Sequence, residues 1–416
     1  MTDDAGGVDQ PPGRHALVDP PADPPDEPFL LRSVATSVYL PSLLYGIGQG
    51  AVAPVIILSA VELGATAAIA FLVVAIAGLG ATLANLPAGQ LVTRIGERRS
   101  MHVAVWLAVM AFLGCIAAPN VWIFAIAIAS TGLSTAIWGL ARHLYLTESV
   151  PYEQRSRAMS TLGGVHRIGV FVGPFLAAAV LTVLGTDGAY WLHIVAALAA
   201  SGVLLVIRDP TLAATSGTPD PTTRATLRMI RRQLPVLRTL GLGALLVNAT
   251  RAARQSVIPL WALYNGLDPA TASLLFGLSG AADMILFYPA GMAMDRWGRR
   301  WISAAAMIIL GGSFFVLPLA TDAASIAVVA VIMGIGNGLT SGLVLTIASD
   351  AAPPEQRGQF LGAFRLWSDS GTLAGPLLVS AVAAVAALVP AVVVMGGVGL
   401  LAAAAMLRWV PRARAG

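Results

Sequence analysis

The sequence predicts an all-α membrane protein, with twelve transmembrane helices in two pseudo-symmetric six-helix bundles. Three observations carry that expectation. Hydrophobic residues are 57% of the 416 and charged residues 11%, with a mean hydropathy of +0.78. A soluble domain carries about a quarter charged residues, so most of this chain belongs in lipid. Beyond residue 33 the chain divides into twelve apolar runs, each near the ~20 residues that a crossing helix needs. The second half also repeats the first at an offset of 202 residues, the separation of Pro87 and Pro289.

The repeat rests on unusual positions. Leu86-Pro87-Ala88-Gly89 returns as Tyr288-Pro289-Ala290-Gly291, and Arg94, Gly96 and Arg98 return as Arg296, Gly298 and Arg300. Glu148 returns as Asp350, Glu153-Gln154-Arg155 as Glu355-Gln356-Arg357, and Gly169, Gly173 and Pro174 as Gly371, Gly375 and Pro376. Duplicated units of apolar helices are a common plan for membrane transporters.

Residues 1–33, rich in Pro and Asp, read as a disordered cytoplasmic tail, with no positive n-region and no cleavage site. The first bundle, 34–207, holds spans near 34–60, 66–92, 101–119, 121–146, 158–184 and 188–207. A linker at 208–237 joins it to the second bundle, 238–407, with spans near 238–264, 270–294, 301–321, 323–349, 359–384 and 386–407. A tail at 408–416 closes the chain.

Charge sets the direction. All 25 basic residues are arginine, and they crowd the loops after the second, fourth, sixth, eighth, tenth and twelfth spans. The alternate loops hold only Glu62, Asp187, Asp268 and Asp322. By the positive-inside rule the arginine loops and both termini are cytoplasmic, in the cell (inner) membrane. Trp122, Trp191 and Trp261 are expected at the outer interface, and Trp297, Trp301 and Trp409 at the inner one. The net charge of +4 is thereby accounted for by topology, without a nucleic-acid partner.

Gly291-Met-Ala-Met-Asp295-Arg296-Trp-Gly298-Arg299-Arg300 resembles the G-x-x-x-D-R-x-G-R-R signature of the major facilitator superfamily. A second copy, Gly89-Gln-Leu-Val-Thr93-Arg94-Ile-Gly96-Glu97-Arg98-Arg99, occupies the matching loop of the first half with Thr93 in place of the aspartate. The resemblance covers all twelve spans. It implies two bundles rocking about a central site, and an arginine–carboxylate network that latches the cytoplasmic side when the transporter faces outward. Gly89 and Gly291 are expected to let helices approach closely, with Glu148 and Asp350 as partners of the arginines. The alternative is that these arginines only set topology. Gly169-Val-Phe-Val-Gly173-Pro174-Phe-Leu-Ala177-Ala178 resembles the G-x-x-x-G-P-x-x-G-G motif of drug/proton antiporters, although its repeat in span 11 is equally read as helix packing. The antiporters' arginine within span 4 is absent, since Ile128 precedes Gly132.

Ionisable residues inside spans cost about 2.5–3.5 kcal/mol each on insertion scales and mark function. Arg251 and Arg254 share one face of span 7 beside Asn248 and Gln255, pseudo-symmetric to Gly46 and Gln49 of span 1, and are read either as structural or as two unpaired cations for a substrate anion. Trp138 and Trp367 are read either as aromatic substrate surface or as core. Arg142 reads as a snorkelling anchor and His193 as a wet histidine near the outer interface. His143 and His166 complete the set of basic residues in spans 4 and 5. Arg365 and Asp369 are spaced to pair within their own helix. Asp283 needs a partner from another helix, and its depth in span 8 matches that of Arg167 in span 5, so an Arg167–Asp283 pair is expected, read either as the proton-coupling pair or as a static salt bridge.

The lone Cys115 excludes an internal disulfide, and the sequence has no nucleotide-binding phosphate loop, metal-ligand cluster or nucleophile–base arrangement. The expectation is a monomeric, non-enzymatic carrier without cofactor, partnered by lipid, protons and a small-molecule substrate. Its leading function is proton-coupled export of a small organic compound. Uptake of a small organic anion by the same fold is one alternative, and a non-transporting receptor or scaffold another.

Overall fold

The computed structural model describes residues 35–150, 154–206, 233–353 and 357–411. The tail at 1–33, most of the linker, the last residues of the C-terminal tail and the motif positions Glu153, Glu355 and Gln356 lie outside the described residues. Among those described, thirteen long helices build twelve spans. They are α1 (Leu40–Glu62), α2 (Ala67–Ile95), α3 (Glu97–Ile116), α4 (Val121–Ser149), α5 (Arg155–Leu184), α6 (Asp187–Val206), α7 (Leu242–Tyr264), α8 (Pro269–Trp297), α9 (Arg299–Val316), α10 (Ala323–Leu339), α11 (Leu343–Ala351), α12 (Arg357–Ala386) and α13 (Leu388–Trp409). The offset seen in the sequence recurs in the helix bounds: α1 and α2 shifted by 202 residues coincide with α7 and α8. Even the π-helical turns entering α1 and α7, Ala35–Tyr39 and Leu237–Gly241, correspond.

Eleven helical spans are long and apolar enough to cross a membrane. The helix left out is α7, because Asn248, Arg251, Arg254 and Gln255 dilute its hydropathy. It packs against α12, α13 and α8. The tenth span is also interrupted, as α10 and α11, where one continuous helix was expected.

Packing repeats with the sequence. In the first half α1 lies on α5 and α6, and α2 on α4; in the second, α7 lies on α12 and α13, and α8 on α10. The Gly-x-x-x-Gly-Pro runs explain the closest of these approaches. A Cβ at Gly169 or Gly173 would strike the α1 backbone between Leu43 and Ala51, and one at Gly371 or Gly375 would strike α7 at Leu245 and Ala249. These glycines therefore join helices within each half.

Turns are set at both ends. Thr66, Asn120, Asp268 and Asp322 cap α2, α4, α8 and α10 through their side-chain oxygens. The Asp268 carboxyl is held below the usual range by the Thr271 hydroxyl, and Asp322 by that of Ser325. At the opposite end Gly96 and Gly298, φ +82 and +85, turn the chain between α2 and α3 and between α8 and α9. That conformation costs an L side chain strain, which is why each motif copy carries glycine there.

The halves meet through α2 with α12, α5 with α8, and α1 with α7. Several of their specific contacts lie toward the acidic-loop end. The Ser273 hydroxyl donates to the Pro174 carbonyl at 3.0 Å, the Ser380 hydroxyl to the Ala68 carbonyl at 2.7 Å, and the Phe175 ring covers Gly277. At the arginine-bearing end a Cβ on Gly89 or Gly291 would meet nothing within 4 Å. The close approach expected of these two glycines is therefore absent from the state described.

Candidate functional site

The site begins with the break in the tenth span. After α10 ends at Leu339, Thr340-Ser341-Gly342 leave the helix: Gly342 has φ +76, and the Thr340 hydroxyl turns back to the Asn337 carbonyl at 2.7 Å. Gly338 lets α10 press onto the backbone of Asp283, where a Cβ would lie 2.8 Å from the Asp283 carbonyl. The break thus delivers two polar side chains to one carboxylate. Asn337 Nδ2 donates to Asp283 Oδ2 at 2.7 Å and the Ser341 hydroxyl reaches Oδ1 at 3.5 Å.

Cations complete the cluster. Arg254, buried on α7, lies 4.0 Å from Asp283 Oδ2 and donates to the Ser279 hydroxyl. Arg251 donates from Nε to Asn337 Oδ1 at 3.0 Å. One reading left these two arginines unpaired, and both have protein partners. Arg167 of α5 donates to the Ser341 hydroxyl at 3.4 Å and stands 4.1 Å over the Phe287 ring. The expected Arg167–Asp283 pair is not a direct contact here, because the Ser341 hydroxyl stands between them. Asn337 and Ser341 were missed by sequence reasoning, which weighed charge alone; two glycines and three short polar residues inside an apolar run were the available signal.

Two cavities flank α7 and share Arg251 and Gln255. One, of about 330 Å³, runs between α5, α7 and α8 and includes Arg167, Arg254 and Asp283. The other, about 400 Å³, lies between α2, α7 and α12 and includes Asn248, Asp369 and Thr372. Asn248 also donates to the Ser368 carbonyl at 3.0 Å. Arg365 and Asp369 pair along α12 at 3.4 Å, as their spacing predicted. Gln49 lies in α1, 3.4 Å from the Thr135 hydroxyl.

Burial decides several sequence expectations, the core reading of Trp138 among them. Trp138 is in the core, stacked on Tyr45 at 4.3 Å, and offers no surface to a substrate, whereas Trp367 is exposed beside Gly241. Arg142 does not snorkel: it is 9% exposed, and its Nε and Nη1 have no partner. His193 is buried against Tyr45 and Phe112, away from the wet interface. Trp261 is buried too, donating to the Ala320 carbonyl at 2.8 Å, while Trp122, Trp191, Trp297 and Trp301 are exposed as a belt requires.

The motif loops are asymmetric. Arg299 forms an ion pair with Asp350, and both border a groove with Asp295 and Gly298. Arg296 and Arg300 lie over the rings of Trp297 and Trp301. In the first half Arg98 donates to the Leu204 carbonyl at the end of α6. Thr93 bonds back to the Gly89 and Gln90 carbonyls, and Glu148 has Glu97 and Arg155 as charged neighbours. Arg94 closes the basic last turn of α2.

Comparison with known proteins gives consistent results. The model of the Major Facilitator Superfamily matches residues 38–253 and again 240–416. The chain is 22% identical over 296 residues to the uncharacterized MFS-type transporter YhjO of Bacillus subtilis (strain 168), covering 70% of this chain and 72% of that protein. It is 28% identical over 131 residues to the arabinose-proton symporter of the same organism, 32% of this chain and 28% of that one. Among solved structures, a mutant of the nucleoside transporter NupG superimposes with a TM-score of 0.74 at 12% identity, covering 90% of this chain and 99% of that one.

Proposed function

Because the chain belongs to the Major Facilitator Superfamily, we propose that this secondary transporter exports a small organic compound in exchange for protons, by alternating access. The observation that carries the coupling role is the Ser341 bridge, which ties Arg167 of the first half to Asp283 of the second. Rocking of the halves withdraws Arg167 while Arg254 and Asn337 stay with the carboxylate. A proton then replaces the lost positive charge, and its release accompanies the return. Asp369, paired with Arg365 at the edge of the second cavity, is the reserve coupling site.

Arg251, Arg254, Asn248, Gln255, Gln49 and Trp367 are the proposed substrate contacts. The arginine loops and both termini face the cytoplasm by the positive-inside rule, so the present state is inward-open, in a monomer in the cell membrane. When the halves close at that end, Gly89 and Gly291 supply the approach, and Arg94, Arg98, Asp295, Arg296, Gly298, Arg299 and Arg300 with Glu148 and Asp350 form the latch. Gly169, Gly173 and Pro174 keep α5 rigid on α1 during the motion. Uptake of an organic anion is the second reading, favoured by the partial likeness to a proton symporter and by the basic cavity.

A growth screen against organic acids and drugs, in cells lacking or overexpressing the protein, identifies a substrate. Proteoliposomes then measure its accumulation under an imposed pH gradient. Asp283→Asn should abolish gradient-driven accumulation while gradient-free exchange survives. Undiminished pH-driven accumulation in that variant would move the coupling role to Asp369.

A further inference from the structure

We infer that the cavity is built for an amphipathic organic acid, a single carboxylate on an apolar body of about one ring; this deepens the transport reading above and rests on it. The two cavities, or lobes, that share Arg251 and Gln255 in their walls differ in chemistry. The larger share of apolar surface is in the α5–α7–α8 lobe, where Phe171, Phe276, Met284 and Phe287 surround the space. Its volume of about 330 Å³ is at the small end for small-molecule sites. The α2–α7–α12 lobe offers amide and hydroxyl groups from Asn248 and Thr372, together with the Asp369 carboxylate.

Charge selects the ligand's sign and number. The apolar lobe sets Arg167, Arg251 and Arg254 against Asp283 alone. Surplus positive charge in a poorly screened cavity attracts one anion and repels a cation. Arg251 commits Nε to Asn337, and among the described residues no bond is made from its Nη1 or Nη2, whose hydrogens can be donated to a carboxylate. A second carboxylate reaching the polar lobe would face Asp369, so a dicarboxylate is disfavoured. A polyol would strip its hydroxyls of water against phenylalanine rings, at a cost that those rings cannot return. An aromatic or branched apolar body instead fits beside Phe171 and Phe287, the latter already holding Arg167 over one face.

The test is binding of 3-phenylpropionate to the purified, detergent-solubilised full chain, by thermal shift and calorimetric titration. Succinate, xylose, tetraphenylphosphonium and the uncharged 3-phenylpropanol are the comparisons. 3-Phenylpropionate should bind and stabilise, and each comparison should bind at least about tenfold more weakly. Arg251→Gln should weaken it roughly tenfold to hundredfold, the range for losing a charged hydrogen bond. Phe287→Ala, at an exposed ring, gives a second variant should Arg251→Gln fail to fold. No binding of 3-phenylpropionate, or tighter binding of succinate, xylose or tetraphenylphosphonium, overturns the assignment, as does wild-type affinity in both variants. Asp283→Asn should still bind. Binding as expected with no pH-driven transport leaves the ligand class standing and removes the coupling reading; pH-driven transport of another compound without 3-phenylpropionate binding does the reverse.

Discussion

A guanidinium inside an apolar span persists only where something returns the lost hydration, and the deep arginines here do so to different degrees. Arg251 and Arg254 have Asn337, Ser279 and Asp283; Arg142 has two buried donors with no partner. An unsatisfied buried donor costs about 1–3 kcal/mol. Arg142→Met, of similar length and without donors, should therefore raise the melting temperature of the detergent-solubilised protein, by an amount equivalent to about 1 kcal/mol or more. A clear loss of stability would mean that Arg142 gains a partner in the native membrane or in another state. At this scale the sequence was read well for charge and poorly for facing. Asp283, Arg251 and Arg254 stood out because ions in apolar runs are costly. Depth along a helix follows from residue count, but the face presented depends on neighbours, so Arg142 and His193 were misplaced. Asn337 and Ser341 carried no charge to betray them.

Elements show which small residues are structural. Gly169, Gly173, Gly371 and Gly375 each sit against the backbone of a neighbouring helix within their own half, where no side chain can rotate aside. Gly173→Ala or Gly375→Ala should lower stability by about 1–3 kcal/mol, the usual cost of overpacking. Gly89→Ala and Gly291→Ala meet open space and gain helix propensity, so they should leave the melting temperature unchanged or slightly higher. Denaturation midpoints of the four variants measured side by side check this, and an equal loss in both pairs would show that the motif glycines also pack in the resting state. The antiporter-like motif was legible as a pattern, yet its role was not, because glycine spacing serves close packing wherever two helices cross. The break at Gly342 was hidden for a related reason: hydropathy averages over a span and is blind to one left-handed residue within it.

At the scale of the molecule, the internal repeat was the most legible feature, because duplicated halves must repeat their turns, caps and crossings together. What one sequence could not hold is the relative setting of the halves, since that setting changes during the cycle. The contacts fixing it here include the Arg167–Ser341 bridge at mid-depth and, at the acidic-loop end, the meeting of Ser380 of α12 with Ala68 of α2. If transport requires this end to open, tying it shut should stop the cycle. In a Cys115→Ala background, Ala68→Cys with Ser380→Cys brings two thiols together in the state described. A short, membrane-impermeant bifunctional thiol reagent added to intact cells should join them, because the acidic end is proposed to face outward. Joined protein should lose nearly all transport, while each single-cysteine protein treated alike should retain it. Cross-linking that requires permeabilised cells would reverse the orientation. Full cross-linking with transport intact would mean that α2 and α12 do not part at this end, and alternating access would need another hinge.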